Sequence, residues 1–138
     1  MPRDLSMILI IEDEEDVREL VEAVLATQNE VLSAATLEAA EVHWRTRHDE
    51  IDLVLSDLQL PGGAQAPTVL GYWQQEKPDL RVVFMSGLSS DHEAAGVRLV
   101  EGTNFLPKPF TTGELLRIAS TQGSHKELDL EVAQRAAA

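Results

Sequence analysis

The chain has 138 residues, 43% of them hydrophobic, and no cysteine. This is enough apolar material for one core and too little length for two ordinary domains, and it excludes disulfide frameworks and zinc sites built on thiolates. With 24 acids against 11 bases the net charge is −13, which opposes nucleic-acid phosphates and anionic lipid and favours cations and basic protein surfaces.

The start, MPRDLSMILIIEDEED, reaches acidic residues after a short apolar stretch, with no long apolar region and no small-residue cleavage site. No apolar run approaches the roughly 20 residues needed to cross a bilayer. A soluble, cytoplasmic protein without direct nucleic-acid or membrane contacts is expected.

Apolar runs of strand length alternate with amphipathic stretches of helix length five times, the pattern of βαβ units on a parallel sheet. Met7 to Ile11 (MILII) reads as a strand buried on both faces. A helix over about Asp16 to Thr27 follows, with Val17, Leu20, Val21, Val24 and Leu25 at helical spacing. Glu30 to Ala34 reads as the second strand, Leu37 to Arg47 as the second helix with Leu37, Ala40 and Trp44 inward, and Leu53 to Ser56 as the third strand. Past the breaker PGG, Pro67 can start a third helix, carrying Val69, Leu70 and Trp73 and stopping before Pro78. Arg81 to Met85 is the fourth strand, Asp91 to Leu99 a weak helix interrupted by Gly96, and Asn104 to Leu106 a short fifth strand. The last helix, Thr111 to Thr121, begins with Thr111 and Glu114 placed as a capping box. Gly123 to Ala138 reads as a frayed extension, a linker or disorder.

In an open parallel sheet, ligands bind beyond the carboxyl ends of the strands where the strand order reverses. Here the first strand ends in Glu12, Asp13 and Glu14, the third in Ser56 and Asp57, the fourth in Ser86 and Gly87, and the fifth in Lys108 and Pro109. Carboxylates gathered at one rim repel and need neutralising. A hard divalent cation answers this with oxygen ligands, and Mg²⁺ takes one or two carboxylates while keeping waters. This suits Asp13 and Asp57 as direct ligands, Glu12 through water, and the backbone carbonyl of Gln59 as a further ligand. The competing reading of EDEED is a solvated helix start favoured by the helix dipole. A carboxylate beside such a cation can attack phosphorus, and Lys108 and Ser86 can donate to the phosphoryl oxygens.

The motifs ILIIEDEEDVREL, DLVLSDLQLPG, VVFMSG and FLPKPF, in this order and spacing, resemble a bacterial response-regulator receiver domain of two-component signalling over roughly residues 6 to 121, leaving 122 to 138 as a tail or linker. The resemblance implies a flavodoxin-like, doubly wound (βα)5 sandwich around a five-stranded parallel sheet of order 2-1-3-4-5. It implies that Asp57 is the phosphoacceptor, Glu12 and Asp13 the acidic pair, Ser86 the switch hydroxyl, and Lys108 the phosphate-binding lysine with a cis bond to Pro109. Phe105 falls at the family's aromatic switch position; a plain core aromatic is the alternative. A histidine kinase or histidine phosphotransfer protein would supply the phosphoryl group. A surface of the fourth helix, fifth strand and last helix would respond, serving a downstream protein or a homodimer. The chain would be a switch, catalysing only its own phosphorylation and dephosphorylation, and the runs PDLRVVFMSG and GTNFLPKPFTTGELLR look most like receivers of hybrid histidine kinases.

Two departures stand beside this. LPGGAQAPTVL lacks the family's usual glycine before the third helix and is about one residue longer, and AATLEAAEV lacks the usual Asp-Gly turn. Two other readings compete: a phosphorylation-independent interaction module of the same fold, and a Mg²⁺-dependent aspartyl-phosphate phosphohydrolase. The second would need an acid two residues after Asp57, where Gln59 stands. His43, His48, His92 and His125 show no metal-ligand spacing, and Gly62-Gly63 is no phosphate loop because no lysine and hydroxyl follow it.

Overall fold

Strands pair side by side, the central ones buried on both faces, and the helices between them cover the two faces. The computed structural model describes residues 6–61, 65–87, 93–94 and 97–120. In chain order the elements are β1 Met7–Ile11, α1 Glu15–Leu25, β2 Glu30–Ala34, α2 Leu37–Arg47, β3 Ile51–Asp57, α3 Ala66–Glu76, β4 Arg81–Ser86, β5 Glu93–Ala94, β6 Val97–Arg98, β7 Phe105–Pro107 and α4 Thr112–Ser120. The main sheet is parallel in the order β2-β1-β3-β4-β7, the expected 2-1-3-4-5 once the two short strands β5 and β6 are set aside.

Period-2 alternation sends successive side chains to opposite faces, and this divides the core into two layers. Leu9, Ile11, Val54, Phe84 and Phe105 face α2 and α3, meeting Ala40, Trp44, Leu70 and Trp73. Ile8, Ile10, Leu53, Leu55, Val83, Met85 and Leu106 meet Val21 and Leu25 of α1 and Leu115 and Ile118 of α4. One irregularity sits at the start of β3. Met7 pairs with Ile51 but Ile8 with Leu53, so Asp52 is the extra residue and Ile51 joins the Met7 side. Asp52 occupies itself there by accepting from the Met7 amide at 2.9 Å.

Helix ends follow local chemistry. Thr36 accepts from the Ala39 amide at 3.1 Å, supplying by a hydroxyl cap what the missing Asp-Gly turn does not. Thr111 and Glu114 exchange bonds of 2.8 and 3.0 Å as a capping box. In α1, Val17, Val21, Val24 and Leu25 form the inward stripe, but Leu20 is 58% exposed, because it lies to one side of the i, i+4, i+7, i+8 line.

The expected helix over Asp91 to Leu99 is corrected in part. Its described residues form an antiparallel pair, Glu93 with Arg98 and Ala94 with Val97, and the rest lies outside the described residues. Gly96 costs a helix about 1 kcal/mol relative to Ala, and β-branched Val97 suits an extended chain. Leu99 still reaches the core. Four helices are present among the described residues, and none is long and apolar enough to cross a membrane.

Candidate functional site

Parallel pairing brings the carboxyl ends of the strands to one rim. Ile11 lies beside Ser56, Asp57 beside Met85, and Ser86 beside Pro107. The ladder continues past the strand ends: the Glu12 amide donates to Ala34 O at 3.0 Å, Leu58 to Met85 O at 2.8 Å, and Lys108 to Ser86 O at 2.8 Å. These bonds fix the backbone on either side of the pocket. The peptide between Lys108 and Pro109 is cis.

The side chains then meet. Oxygens of Glu12, Asp13 and Asp57 lie within 4.8 Å of one another. Glu12 is fully buried and has both oxygens engaged: Oε1 accepts from Lys108 Nζ at 2.7 Å and Oε2 from the Glu14 amide at 3.0 Å. Lys108 Nζ is also 3.6 Å from Asp57 Oδ2, so the ammonium leans to Glu12 while remaining beside Asp57. Asp13 is exposed at the mouth, and Asp57 is 8% exposed.

Burial raises the Asp57 pKa to about 6, with the Glu12 charge adding to the effect, Lys108 opposing it, and Asp13 contributing by charge and hydrogen bond. Burial works against the Lys108 ammonium, but its hydrogen bond to Glu12 and the charges of Asp57 and Glu12 outweigh this and raise its pKa. Three carboxylates and one ammonium leave an excess of negative charge in a confined space. That donor set fits a hard divalent cation.

Of the other predicted residues, Ser86 is buried at the end of β4, on the same sheet face as Phe84 by the period-2 rule. Phe105 pairs with Phe84 and is 6% exposed in the core. Gln59 lies two residues past Asp57 with its side chain exposed. Trp44 and Trp73 pack in the core as expected. His43 meets Ser33 O and His48 meets Trp44 O, while His92 and His125 lie outside the described residues.

The sequence reading passed over Arg18. Its Nη1 donates to the Glu12 carbonyl at 3.0 Å, and its Nε lies 3.9 Å from Glu22, so it braces the backbone that carries the acids. A signal was present: an arginine in the second turn of an acidic helix start opposes the helix dipole and so needs a local partner.

The family profile described as the response regulator receiver domain matches residues 8–120. The chain belongs to this family. The receiver is 32% identical over 112 residues to the sensor kinase CckA of Brucella abortus, covering 78% of this chain and 11% of that protein. It is 33% identical over 115 residues to the response regulator protein PilR of Pseudomonas aeruginosa, covering 82% of this chain and 25% of that one. The chain therefore spans a small part of the length of these curated relatives. Among solved structures, the receiver domain of the hybrid histidine kinase CckA superposes with a TM-score of 0.69 at 33% identity, covering 85% of this chain and 98% of that one. As a receiver, the domain is a signalling module of two-component systems and not a conventional enzyme.

Proposed function

We propose that this receiver accepts a phosphoryl group on Asp57, from a histidine kinase or a histidine phosphotransfer protein, in a Mg²⁺-dependent reaction. The observation that carries the proposal is the placement of a nearly buried Asp57 within 4.8 Å of the Glu12 and Asp13 carboxylates and 3.6 Å from the Lys108 ammonium. Asp13 and Asp57 would hold the ion directly, Glu12 through water because both its oxygens are already engaged, and Gln59 through its backbone carbonyl. When bound, Mg²⁺ cancels charge between the attacking carboxylate and the phosphoryl oxygens.

The chain's own residues do the rest. An Asp57 oxygen forms the bond to phosphorus as the donor's P–N or P–O bond breaks, and the leaving group departs with that electron pair and takes up a proton. Lys108 steadies the incoming phosphoryl oxygens from its position between Glu12 and Asp57. Water reverses the modification slowly. Ser86 then turns toward the phosphoryl group. Phe105 already packs against the core, so the shift between two packings runs through a tightening of β4, β7 and α4 around it. We propose residues 6–121 as the working domain and 122–138 as a tail or linker.

Intact mass after incubation with acetyl phosphate tests this. A single phosphoryl adduct is expected that requires Mg²⁺ and is lost in Asp57→Asn. An absence of adduct in wild type under all conditions favours the phosphorylation-independent interaction module.

A further inference from the structure

The turn that carries the acid pair runs from the end of β1 at Ile11 to the start of α1 at Glu15. The helix does not cap itself there, because the side chain of Glu14, the residue before its first turn, makes no cap bond. Other bonds hold the turn. The Glu12 amide donates to Ala34 O at 3.0 Å, the Glu14 amide to Glu12 Oε2 at 3.0 Å, and Arg18 Nη1 to the Glu12 carbonyl at 3.0 Å. With Oε1 accepting from Lys108, Glu12 is engaged at its amide, its carbonyl and both carboxylate oxygens. The carbonyl that Arg18 holds belongs to the peptide joining Glu12 to Asp13. Asp13 is exposed at the pocket mouth, and the direction in which its side chain leaves the backbone follows from the plane of that peptide.

Charge alone does not account for Arg18. In α1 (EDVRELVEAVL) it is a single base beside Glu15, Asp16, Glu19 and Glu22. Its ion pair with Glu22 is nevertheless long, at 3.9 Å with 37% of the partner side chain exposed, a geometry worth little in water. The shorter contact goes to a neutral carbonyl six residues back. Helical side chains lean toward the N-terminus, which carries the guanidinium over the first turn and leaves the arginine side chain 19% exposed. A cation close to carboxylates that gather a metal also works against that metal by charge. What Arg18 contributes to the pocket is therefore geometric.

We propose that Arg18 is a positioning residue for the divalent cation: through the Glu12–Asp13 peptide it holds the Asp13 carboxylate ready to take the ion together with Asp57. The inference rests on the Mg²⁺ reading of the pocket given above. Groups that orient metal ligands without touching the metal change affinity by about ten- to a hundredfold, and a single bond to backbone belongs at the lower end. Geometry and charge predict opposite signs. Loss of a positioning residue weakens Mg²⁺ binding, whereas loss of a bystander cation strengthens it.

Calorimetric titration of the full chain with magnesium chloride reads that sign. Arg18→Met is expected to weaken Mg²⁺ binding about tenfold. Glu22→Gln, which leaves the bond to Glu12 in place, should change it less than about twofold. Circular dichroism checks the fold, and Arg18→Gln repeats the titration if the methionine variant does not fold. Wild type that binds Mg²⁺ beside an Arg18 variant that binds as well or tighter overturns the role of Arg18 and leaves the metal reading standing. Weakening by Glu22→Gln as large as by Arg18→Met also overturns it, because the tether along the helix would then be what matters. Wild type that binds no Mg²⁺ overturns the metal reading and this inference with it.

Discussion

The two sides of the acid pocket are built differently. Glu12, Asp13 and Asp57 sit at the ends of β1 and β3, strands of five and seven residues that are hydrogen-bonded on both edges. Phe105 begins β7 and Lys108 directly follows it; this strand of three residues has β4 as its sheet partner among the described residues, besides an isolated bridge between Glu101 and Phe105. Groups that repel need a stiff frame to hold them together, and the central strands supply it. Lys108, the ammonium beside Glu12 and Asp57, follows the short edge strand, where local opening costs less. Under the proposed function, the chemistry would fall on the two-edged central strands and the response on the shorter edge strand.

The contrast can be broken by cavity mutants. Leu55→Ala, at a fully buried position of β3, is expected to cost about 3–4 kcal/mol in urea denaturation, against about 2 kcal/mol for Leu106→Ala on β7. Equal costs would show that the edge is as stiff as the centre. Next in size is Lys108→Ala, which leaves the buried Glu12 carboxylate without its ammonium; about 2–3 kcal/mol of stability should be lost, together with most of the phosphoryl adduct at fixed time.

Asp57 sharpens the comparison from the other side. Its pKa is about 6 in the folded chain against 3.8 as a free side chain, so between these values the folded state holds more protons than the unfolded one. Stability without divalent ion therefore rises as pH falls through 6 toward 4, and the ionised carboxylate is a cost at neutral pH. Allowing for screening by water at the pocket mouth, Asp57→Asn should stabilise the metal-free domain by about 1–2 kcal/mol at pH 7.5. A destabilised variant would mean that Lys108 outweighs the repulsion.

Legibility in the sequence follows the same division. β1, β2 and α2 fall on the residues expected from pattern, because continuous apolar runs and a three-to-four-residue periodicity are local signals. The pocket residues could be named because each ends or follows a strand whose end the apolar run announces. The bulge at Asp52 escaped notice, since only pairing with β1 reveals the extra residue. So did Lys77, whose ammonium reaches back to the carbonyls of His48, Asp49 and Ile51, and Arg81, which ties β4 to Ile118 O and Thr103 O. These contacts join distant segments and leave no periodic trace. The stretch from Asp91 to Leu99 misled because a few polar and small residues around Gly96 suit a weak helix and a short ladder about equally.

The central claim is that Asp57 itself carries the phosphoryl group. Reduction of the modified chain with borohydride, which converts an acyl phosphate of aspartate to homoserine, followed by peptide mass mapping, locates the acceptor. The account predicts homoserine at position 57 alone and only when Mg²⁺ was present; homoserine at position 13, or a phosphoryl adduct that survives in Asp57→Asn, would contradict it.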